Sequence, residues 1–349
     1  ESRQHETDGG GPGNQAGNRG QISWRPTRQG SQGDKHTHRK CTGKAAKAAN
    51  AIGKILPNLH GPRECRRRLL MSVTKSIALF AAPVWLQNTL KTRTAKTALR
   101  RTQRTAALRI LQAYRTVSTN AALVLTGSPP WDLVVNERKS IWEGGSESNK
   151  GAEREKTIRL WQEEWDAIPA GSSGYSLRLL IPDIKKWIDR PAGEINFFLT
   201  QCLTAHGDFQ SYQFHIGKAH SETCVHSADG INDDPEHTLL KCKGLEQART
   251  NAIALLRLKW AREEEKRGAR TPDPPRSNMK MFVEYICSTA SAWKLGEEMA
   301  TAVMKKKTEL GKYRRERIAL TTSTDDVACN QTGSQVLEQA RRTGGGTRE

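Results

Sequence analysis

Long apolar runs and familiar catalytic motifs are both missing from this sequence. Its 349 residues contain no stretch of about 18 apolar residues, so we expect no membrane span and no signal peptide. It also has no His-Glu-x-x-His motif, no phosphate-binding glycine loop and no Ser/His/Asp signature. Hydrophobic residues make up only 36% of the chain, which predicts that part of it packs poorly.

A disulfide framework is missing as well. The seven cysteines are scattered, and four of them have no near partner in the sequence: Cys41, Cys65, Cys287 and Cys329. Secreted domains that depend on disulfides usually carry an even number of closely spaced cysteines. The pattern therefore favours a reducing compartment, the cytoplasm or the nucleus.

Paired aspartates, which a polymerase uses to hold two metal ions, occur at only two places. Asp325-Asp326 lies in a polar tail without a flanking strand, and Asp233-Asp234 lies in a loop rich in turn-forming residues. We interpret both pairs as solvated loop residues. The sequence therefore assigns no catalytic residue.

Acidic residues are nearly absent between Cys41 and Arg115. This segment holds 16 Lys and Arg but one acidic residue, Glu64, in a chain whose formal net charge is +19. Lysine and arginine release counterions from phosphates, so such a segment can bind RNA or DNA without reading its sequence. The alternative is a solvated helix face, which explains most runs of charge. The candidate contact residues are Arg66, Arg67, Arg68, Lys96, Arg100 and Arg104.

Helical periodicity predominates and predicts a mostly α fold. The expected helices are Lys44–Leu56, 62–80, 89–115 and Thr119–Leu125. In the second of them, the spacing of Leu69, Val73 and Ile77 predicts a buried apolar stripe, to which Leu70 and Phe80 add.

Strand signals are few, and the tryptophans point to core packing. Phe209–Phe214 is the best strand candidate. Five tryptophans lie in amphipathic contexts, where packing in the core is favoured over stacking on bases. They are Trp161, Trp165, Trp187, Trp260 and Trp293.

Shifts in composition divide the chain into successive regions. We expect a disordered N-terminal segment, a basic helical region, a linker, a region with a Cys/His finger at 220–242, and C-terminal helices before a disordered tail. The corresponding ranges are 1–38, 39–143, 144–156, 157–265, 277–317 and 318–349.

Cysteines and histidines form the pattern C-x-H-x10-H-x4-C at Cys224, His226, His237 and Cys242. Zinc prefers four sulfur or nitrogen ligands in a tetrahedron, and four protein ligands leave no position open for water. We therefore predict a structural zinc ion that helps this polar region to fold. Only one residue separates Cys224 from His226, so His220 could replace His226. The alternative is a set of surface histidines and buried cysteines with no shared role.

The run at residues 55–85, ILPNLHGPRECRRRLLMSVTKSIALFAAPVW, resembles the segment after the polymerase core in arthropod non-LTR retrotransposons, and type-1 elements in particular. Its end, at residues 80–85, matches the family pattern with Phe in place of Tyr and Ala in place of Gly. Residues 114–138 and 199–207 resemble later blocks of the same family. In the C-terminal finger of that family, Cys224, His237 and Cys242 match, whereas His226 stands where the second cysteine is usual.

The resemblance implies the C-terminal part of a Pol polyprotein that also carries an endonuclease and a reverse transcriptase. Residues 39–143 would be a thumb-like extension, and residues 157–316 would hold template RNA or target DNA during target-primed reverse transcription. The parent protein would be an RNA-directed DNA polymerase that uses two Mg²⁺ ions. Its F/Y-A-D-D box does not occur in this sequence, so we do not expect this piece to catalyse that reaction alone.

Two other interpretations stay open, a stand-alone zinc-dependent nucleic-acid-binding protein and a non-functional relic of a decayed element. Residues 1–38 do not match the family. With synonymous codons and a shift of one nucleotide, Gln15–Gln29 can encode K-Y-L-G-V-Q-L-D, which resembles a strand of the family. We therefore hypothesise that residues 1–38 are out of frame and have no designed fold.

Overall fold

The computed structural model describes residues 30–90, 92–145, 149–191, 193–267 and 270–313. Within these ranges the chain is helical and forms no strand, so the mostly α prediction is confirmed. The helices are α1 (Gly30–Lys54), α2 (Glu64–Ala78), α3 (Ala82–Thr89), α4 (Arg93–Ile110), α5 (Thr119–Leu125), α6 (Trp131–Glu143), α7 (Lys150–Asp166), α8 (Tyr175–Leu180), α9 (Ile184–Ile188), α10 (Phe197–Thr204), α11 (Gln210–His215), α12 (Glu246–Arg267), α13 (Met279–Ser288) and α14 (290–313).

Helices α1–α4 and α6 pack as the first unit of the fold. Helix α1 lies against α2, α3 and α4, and both α3 and α4 lie against α6. Buried alanines such as Ala45 and Ala78 let the helices approach closely, while Trp85 and Leu99 fill the space between them. The indole nitrogen of Trp85 donates to the carbonyl of Phe80 at 2.7 Å, so this ring is buried without an unpaired donor.

The buried face of α2 is not the one that the sequence predicted. Leu69, Val73 and Phe80 are 71%, 49% and 67% exposed, and only Ile77 of the predicted stripe packs, half-buried, against the core of the first unit. The side chains that point inward are Glu64, Arg67, Met71, Thr74 and Ala78. The prediction is wrong because the polar residues of that face find hydrogen-bond partners inside the protein, which removes the usual cost of burying them.

A second and larger core joins α5 to the elements from α7 to α14. Trp161, Trp165, Trp187 and Trp293 are all buried in it, which confirms their predicted role, and Trp260 is half-buried. The indole nitrogen of Trp165 donates to a backbone carbonyl at 2.8 Å, and that of Trp187 donates at 3.4 Å.

Glu64 connects the first unit to this second core. Its carboxylate accepts a hydrogen bond from the backbone N–H of Ile195 and one from Arg68 Nε at 2.8 Å. Burial raises the pKa of the Glu64 carboxyl, with its partners opposing that shift. A buried carboxylate is tolerated only with such partners, so these contacts hold the start of α2 against the segment before α10.

The predicted helices of the basic region are present with shifted ends. The predicted spans 62–80 and 89–115 contain the shorter helices α2 and α4, and Thr119–Leu125 matches α5. Ser118 caps α5, because its side chain accepts a hydrogen bond from the Ala121 N–H at 3.2 Å. The strand predicted at Phe209–Phe214 is wrong, since helix α11 occupies this segment.

The ends of the predicted regions differ from the structure as well. Helix α1 begins at Gly30, inside the segment predicted to be disordered, and His38 lies buried 5.0 Å from the ring of Trp85. Helix α7 begins inside the predicted linker. Residues 1–29 and 314–349, with Asp325-Asp326, lie outside the described residues. None of the described helices combines the length and apolar character needed to cross a membrane.

Candidate metal centre and basic surface

Cys224, His237 and Cys242 come together in the structure as a buried cluster. One ligand atom from each residue lies within 4.8 Å of the others, and all three residues are buried. Cys224 lies on the loop after α11, next to the isolated bridge between Thr223 and Asn232. The cluster therefore joins two segments that are separated by a loop of polar residues.

A π-helical turn at His237–Lys241 places His237 and Cys242 on the same face. Such a turn pairs residues five apart, and the Cys242 N–H donates to the His237 carbonyl at 2.7 Å. Asp234 begins the turn, because its carboxylate accepts a hydrogen bond from the His237 N–H at 2.7 Å. The separation of five positions between His237 and Cys242 in the sequence thus corresponds to a π-helical turn, which is rare in proteins.

The two cysteine sulfurs lie 3.8 Å apart. A disulfide would require about 2.05 Å, so these thiols are free. In a tetrahedral site with Zn–S bonds of about 2.3 Å, the two sulfurs would be roughly 3.8 Å apart. Burial raises the pKa of the Cys242 thiol, and the neighbouring Cys224 raises it further. The geometry suits a metal ion, whose charge would favour the deprotonated sulfurs.

The imidazole of His237 has one nitrogen without a protein partner. Its Nδ1 is buried and makes no hydrogen bond, whereas Nε2 lies 3.3 Å from the hydroxyl of Ser227. A buried nitrogen without a partner costs about 1–3 kcal/mol unless something binds it. Two soft sulfurs and a borderline imidazole are the donors that zinc prefers, so the residues present fit this metal.

His226 lies outside the cluster, which corrects the predicted set of four ligands. Its backbone N–H donates to the sulfur of Cys224 at 3.4 Å, and its carbonyl lies close to Gly244. A Cβ at Gly244 would meet that carbonyl oxygen at 1.9 Å, so glycine is required there. His226 therefore supports Cys224 through its backbone. The substitute that the sequence suggested, His220, is exposed and is likewise not in the cluster.

The prediction that Asp233 is a solvated loop residue is wrong. Asp233 is buried and forms an ion pair with Lys307 of α14, with both carboxylate oxygens 2.7 Å from the ammonium nitrogen. It also accepts hydrogen bonds from the hydroxyl of Thr238 at 2.6 Å and the N–H of Gln210 at 2.9 Å. The turn-forming residues around Asp233 predicted a solvated loop, because the composition of a loop does not show which carboxylate points inward.

Arg249 is a second supporting residue that sequence reasoning missed. Its guanidinium is fully buried and donates to the carbonyls of Thr238, Leu239 and Cys242. The carbonyls of Thr238 and Leu239 belong to the π-helical turn, and that of Cys242 also accepts a hydrogen bond from the Leu245 N–H at 3.2 Å. Arginine suits this place because its planar group offers five donors in a fixed geometry.

Among the predicted nucleic-acid contacts, Arg67 is buried rather than exposed. Its guanidinium donates to the carbonyls of Pro62 at 2.6 Å, Arg109 at 3.1 Å and Pro57. It therefore ties the turn before α2 to the end of α4. A cation that is enclosed in this way does not reach a phosphate, so Arg67 is a structural residue in this fold.

Three more of the predicted residues already have protein partners. Arg100 pairs with Asp132 and Glu164, each at 2.8 Å, and Arg104 donates to the carbonyls at positions 115 and 117. Arg68 pairs with Glu64. Arg66 and Lys96 are exposed and form no ion pair with a described residue. Of the three candidate contact residues on α4, Arg100 and Arg104 are thus already bound within the protein.

Over 227 residues the chain is 26% identical to the Pol polyprotein from type-1 retrotransposable element R1 2 of Nasonia vitripennis, and the match covers 59% of this chain and 54% of the relative. The chain is similar to the Pol polyproteins of type-1 retrotransposable elements. This finding confirms the resemblance that residues 55–85 and the later blocks indicated.

Two further relatives of this retrotransposon group agree. The chain is 27% identical over 199 residues to the Pol polyprotein from element R1 of Bradysia coprophila, and 28% identical over 197 residues to a protein in element R1DM of Drosophila melanogaster. The chain spans about half the length of the Nasonia relative, and each of the other matches covers 51% of this chain and 19% of the relative. No protein-family model and no solved structure matches the chain.

Proposed function

We propose that this chain is a nucleic-acid-binding portion of a retrotransposon-encoded Pol polyprotein, without polymerase chemistry of its own. The similarity to R1 Pol polyproteins supports the origin. The observation that carries nucleic-acid binding is a set of exposed cations on α1 and α4 that have no ion pair with any described residue. They include Lys35, Arg39, Lys40, Lys44, Lys47, Lys96 and Arg101.

In the parent polyprotein the bound nucleic acid would be template RNA or target DNA during target-primed reverse transcription. The Mg²⁺ ions and the carboxylates that hold them would serve that reaction of the parent polyprotein. Free buried thiols support a role in the nucleus or cytoplasm, where cysteines stay reduced.

Fluorescence anisotropy with labelled RNA and DNA oligonucleotides tests this proposal on the full chain. We expect the logarithm of the binding constant to fall linearly with the logarithm of the salt concentration, by about 0.7 per phosphate contact for a single strand. Binding of neither oligonucleotide at about 50 mM salt would overturn the proposal, because counterion release is strongest there.

We also propose that Cys224, His237 and Cys242 hold a structural zinc ion. Bound zinc would cross-link the π-helical turn to the loop before it. These three residues would leave the fourth coordination position to water or to another ligand. The support is the sulfur separation of 3.8 Å and the unpaired, buried Nδ1 of His237. Metal analysis of the purified chain should give one zinc per chain. Cys242→Ser should lose it, whereas Cys65→Ser, at an exposed cysteine, should keep it.

A further inference from the structure

Helices α1 and α4 enclose an open groove on the surface of the first unit. The groove has a volume of about 580 Å³. Small residues form part of its lining, with Gly43 and Ala46 on α1 and Ala98 on α4. A Cβ added at Gly43 would meet nothing within 4 Å, so the space above this glycine is open.

Cations stand on both walls of this groove. Lys35 and Arg39 come from successive turns of α1, and Arg101 comes from α4. All three are exposed, and none forms an ion pair with a described residue. None of the described residues that line the groove is acidic. The charge in the groove is therefore available to a ligand, unlike that of Arg100, whose partners are Asp132 and Glu164.

The lining specifies the chemical class of the ligand. Uncompensated lysine and arginine, with the hydroxyl of Thr94 beside them, suit a polyanion with repeated oxygen acceptors. Among the described residues that line the groove, the only aromatic ring is that of His38, which is buried. Without a stacking platform the groove would contact the backbone of a nucleic acid rather than its bases.

We propose that the groove between α1 and α4 binds the sugar–phosphate backbone of a single nucleic-acid strand. Cations on two facing walls can contact a narrow chain from both sides, whereas a duplex would lie across the rims and reach fewer of them. This inference rests on the proposed nucleic-acid binding and adds the place and the form of the ligand.

Two triple variants of the full chain test the proposal against the effect of net charge. Lys35→Gln/Arg39→Gln/Arg101→Gln removes the cations of the groove. The matched control Lys218→Gln/Lys259→Gln/Lys280→Gln removes the same charge from exposed positions outside the first unit that do not line it. Circular dichroism would confirm that both variants keep their helices. The probes are a labelled oligothymidylate of about 20 nucleotides and a duplex of equal length.

We expect the groove variant to bind the oligothymidylate about tenfold more weakly or worse, and its salt slope to fall by about 2, since three contacts at roughly 0.7 each are lost. The control should lose much less. Equal losses in the two variants would show that only net charge matters and would overturn the groove. A groove effect confined to the duplex would overturn the assignment to a single strand.

A variant without a change of charge separates steric from electrostatic causes. Gly43→Gln would place a neutral side chain in the open space above Gly43, and replacing glycine inside a helix favours folding. Weaker binding of the oligothymidylate by this variant is expected, and unchanged binding would count against a ligand inside the groove. If the unaltered chain binds no oligonucleotide, the proposed function itself fails. If the unaltered chain binds but the groove and control variants lose the same affinity, only the groove proposal fails.

Discussion

Lys307 on α14 lies with its ammonium nitrogen 2.7 Å from each carboxylate oxygen of Asp233, and both side chains are almost fully buried. The hydroxyl of Thr238 accepts from Lys307 at 2.8 Å and donates to Asp233 at 2.6 Å. Thr238 belongs to the π-helical turn, so the pair connects the candidate metal centre to α14. The loop between Cys224 and His237 is thus fixed to α14 at Asp233.

Lys307→Met should be strongly destabilising, because it leaves the Asp233 carboxylate buried without a countercharge. We expect the free energy of unfolding to fall by about 3–5 kcal/mol, measured by urea denaturation. Lys306→Met, at the exposed neighbouring position, should change it by less than about 0.5 kcal/mol. Adding Asp233→Asn to Lys307→Met should recover part of the loss. Equal stability of the two lysine variants would contradict the role of this pair.

Substitutions at Arg67 and Arg66 should distinguish effects on the stability of the fold from effects on oligonucleotide binding. Arg67→Gln removes a buried guanidinium that serves three carbonyls, so the free energy of unfolding should fall by about 3 kcal/mol. The folded fraction should still bind an oligonucleotide with nearly unchanged affinity. Arg66→Gln, at an exposed position, should leave stability within about 0.5 kcal/mol of the original. A weaker oligonucleotide affinity in the folded Arg67 variant than in the Arg66 variant would refute the structural assignment.

Zinc should stabilise the folded chain measurably. With free zinc held at about 1,000 times its dissociation constant, chelation should lower the free energy of unfolding by about 4 kcal/mol. The expected readout is a drop in the melting temperature when the chelator is added, reversed by zinc. Cys224→Ser should show neither effect, while Cys65→Ser should show both. A chelator that leaves the melting temperature unchanged would argue against a structural metal.

His38 should make the stability depend on pH. Burial lowers the pKa of the His38 imidazole below its ordinary value of 6.5, so protonation favours the unfolded chain. The contribution of neutral His38 to the free energy of unfolding is fully present above pH 6.5. It is lost as the pH falls through the lower pKa that His38 has in the folded chain. His38→Gln should flatten the dependence of the unfolding free energy on pH in this window. His36→Gln, at an exposed position of the same helix, should leave it in place.

The sequence predicted the helices of the basic region because their signals are local. Apolar periodicity and the capping residue Ser118 act within a few residues, so α5 matches its predicted span. The buried face of α2 could not be predicted in the same way. It depends on Arg67 reaching the carbonyl of Arg109, a contact across 42 positions that no local pattern contains.

The candidate metal centre was predictable in part for a similar reason. Cys224, His237 and Cys242 have chemistry that limits their role, and the structure brings them together. His226 shares that chemistry, but only the path of the loop shows that its backbone, rather than its ring, supports Cys224. Lys307 pairs with a residue 74 positions away, so nothing near it in the sequence marks it as different from Lys306.

The exposed apolar face of α2 makes the first unit amphiphilic. Leu69 and Val73 of α2 and Phe80 just after it are exposed, and we expect the uncompensated cations of α1 to repel a second copy of the chain. Salt screens that repulsion within about 10 Å at 0.1 M, but it does not weaken attraction between apolar surfaces. Raising the salt concentration to weaken nucleic-acid binding will therefore also favour self-association of this chain, and the two effects are separable by varying the protein concentration.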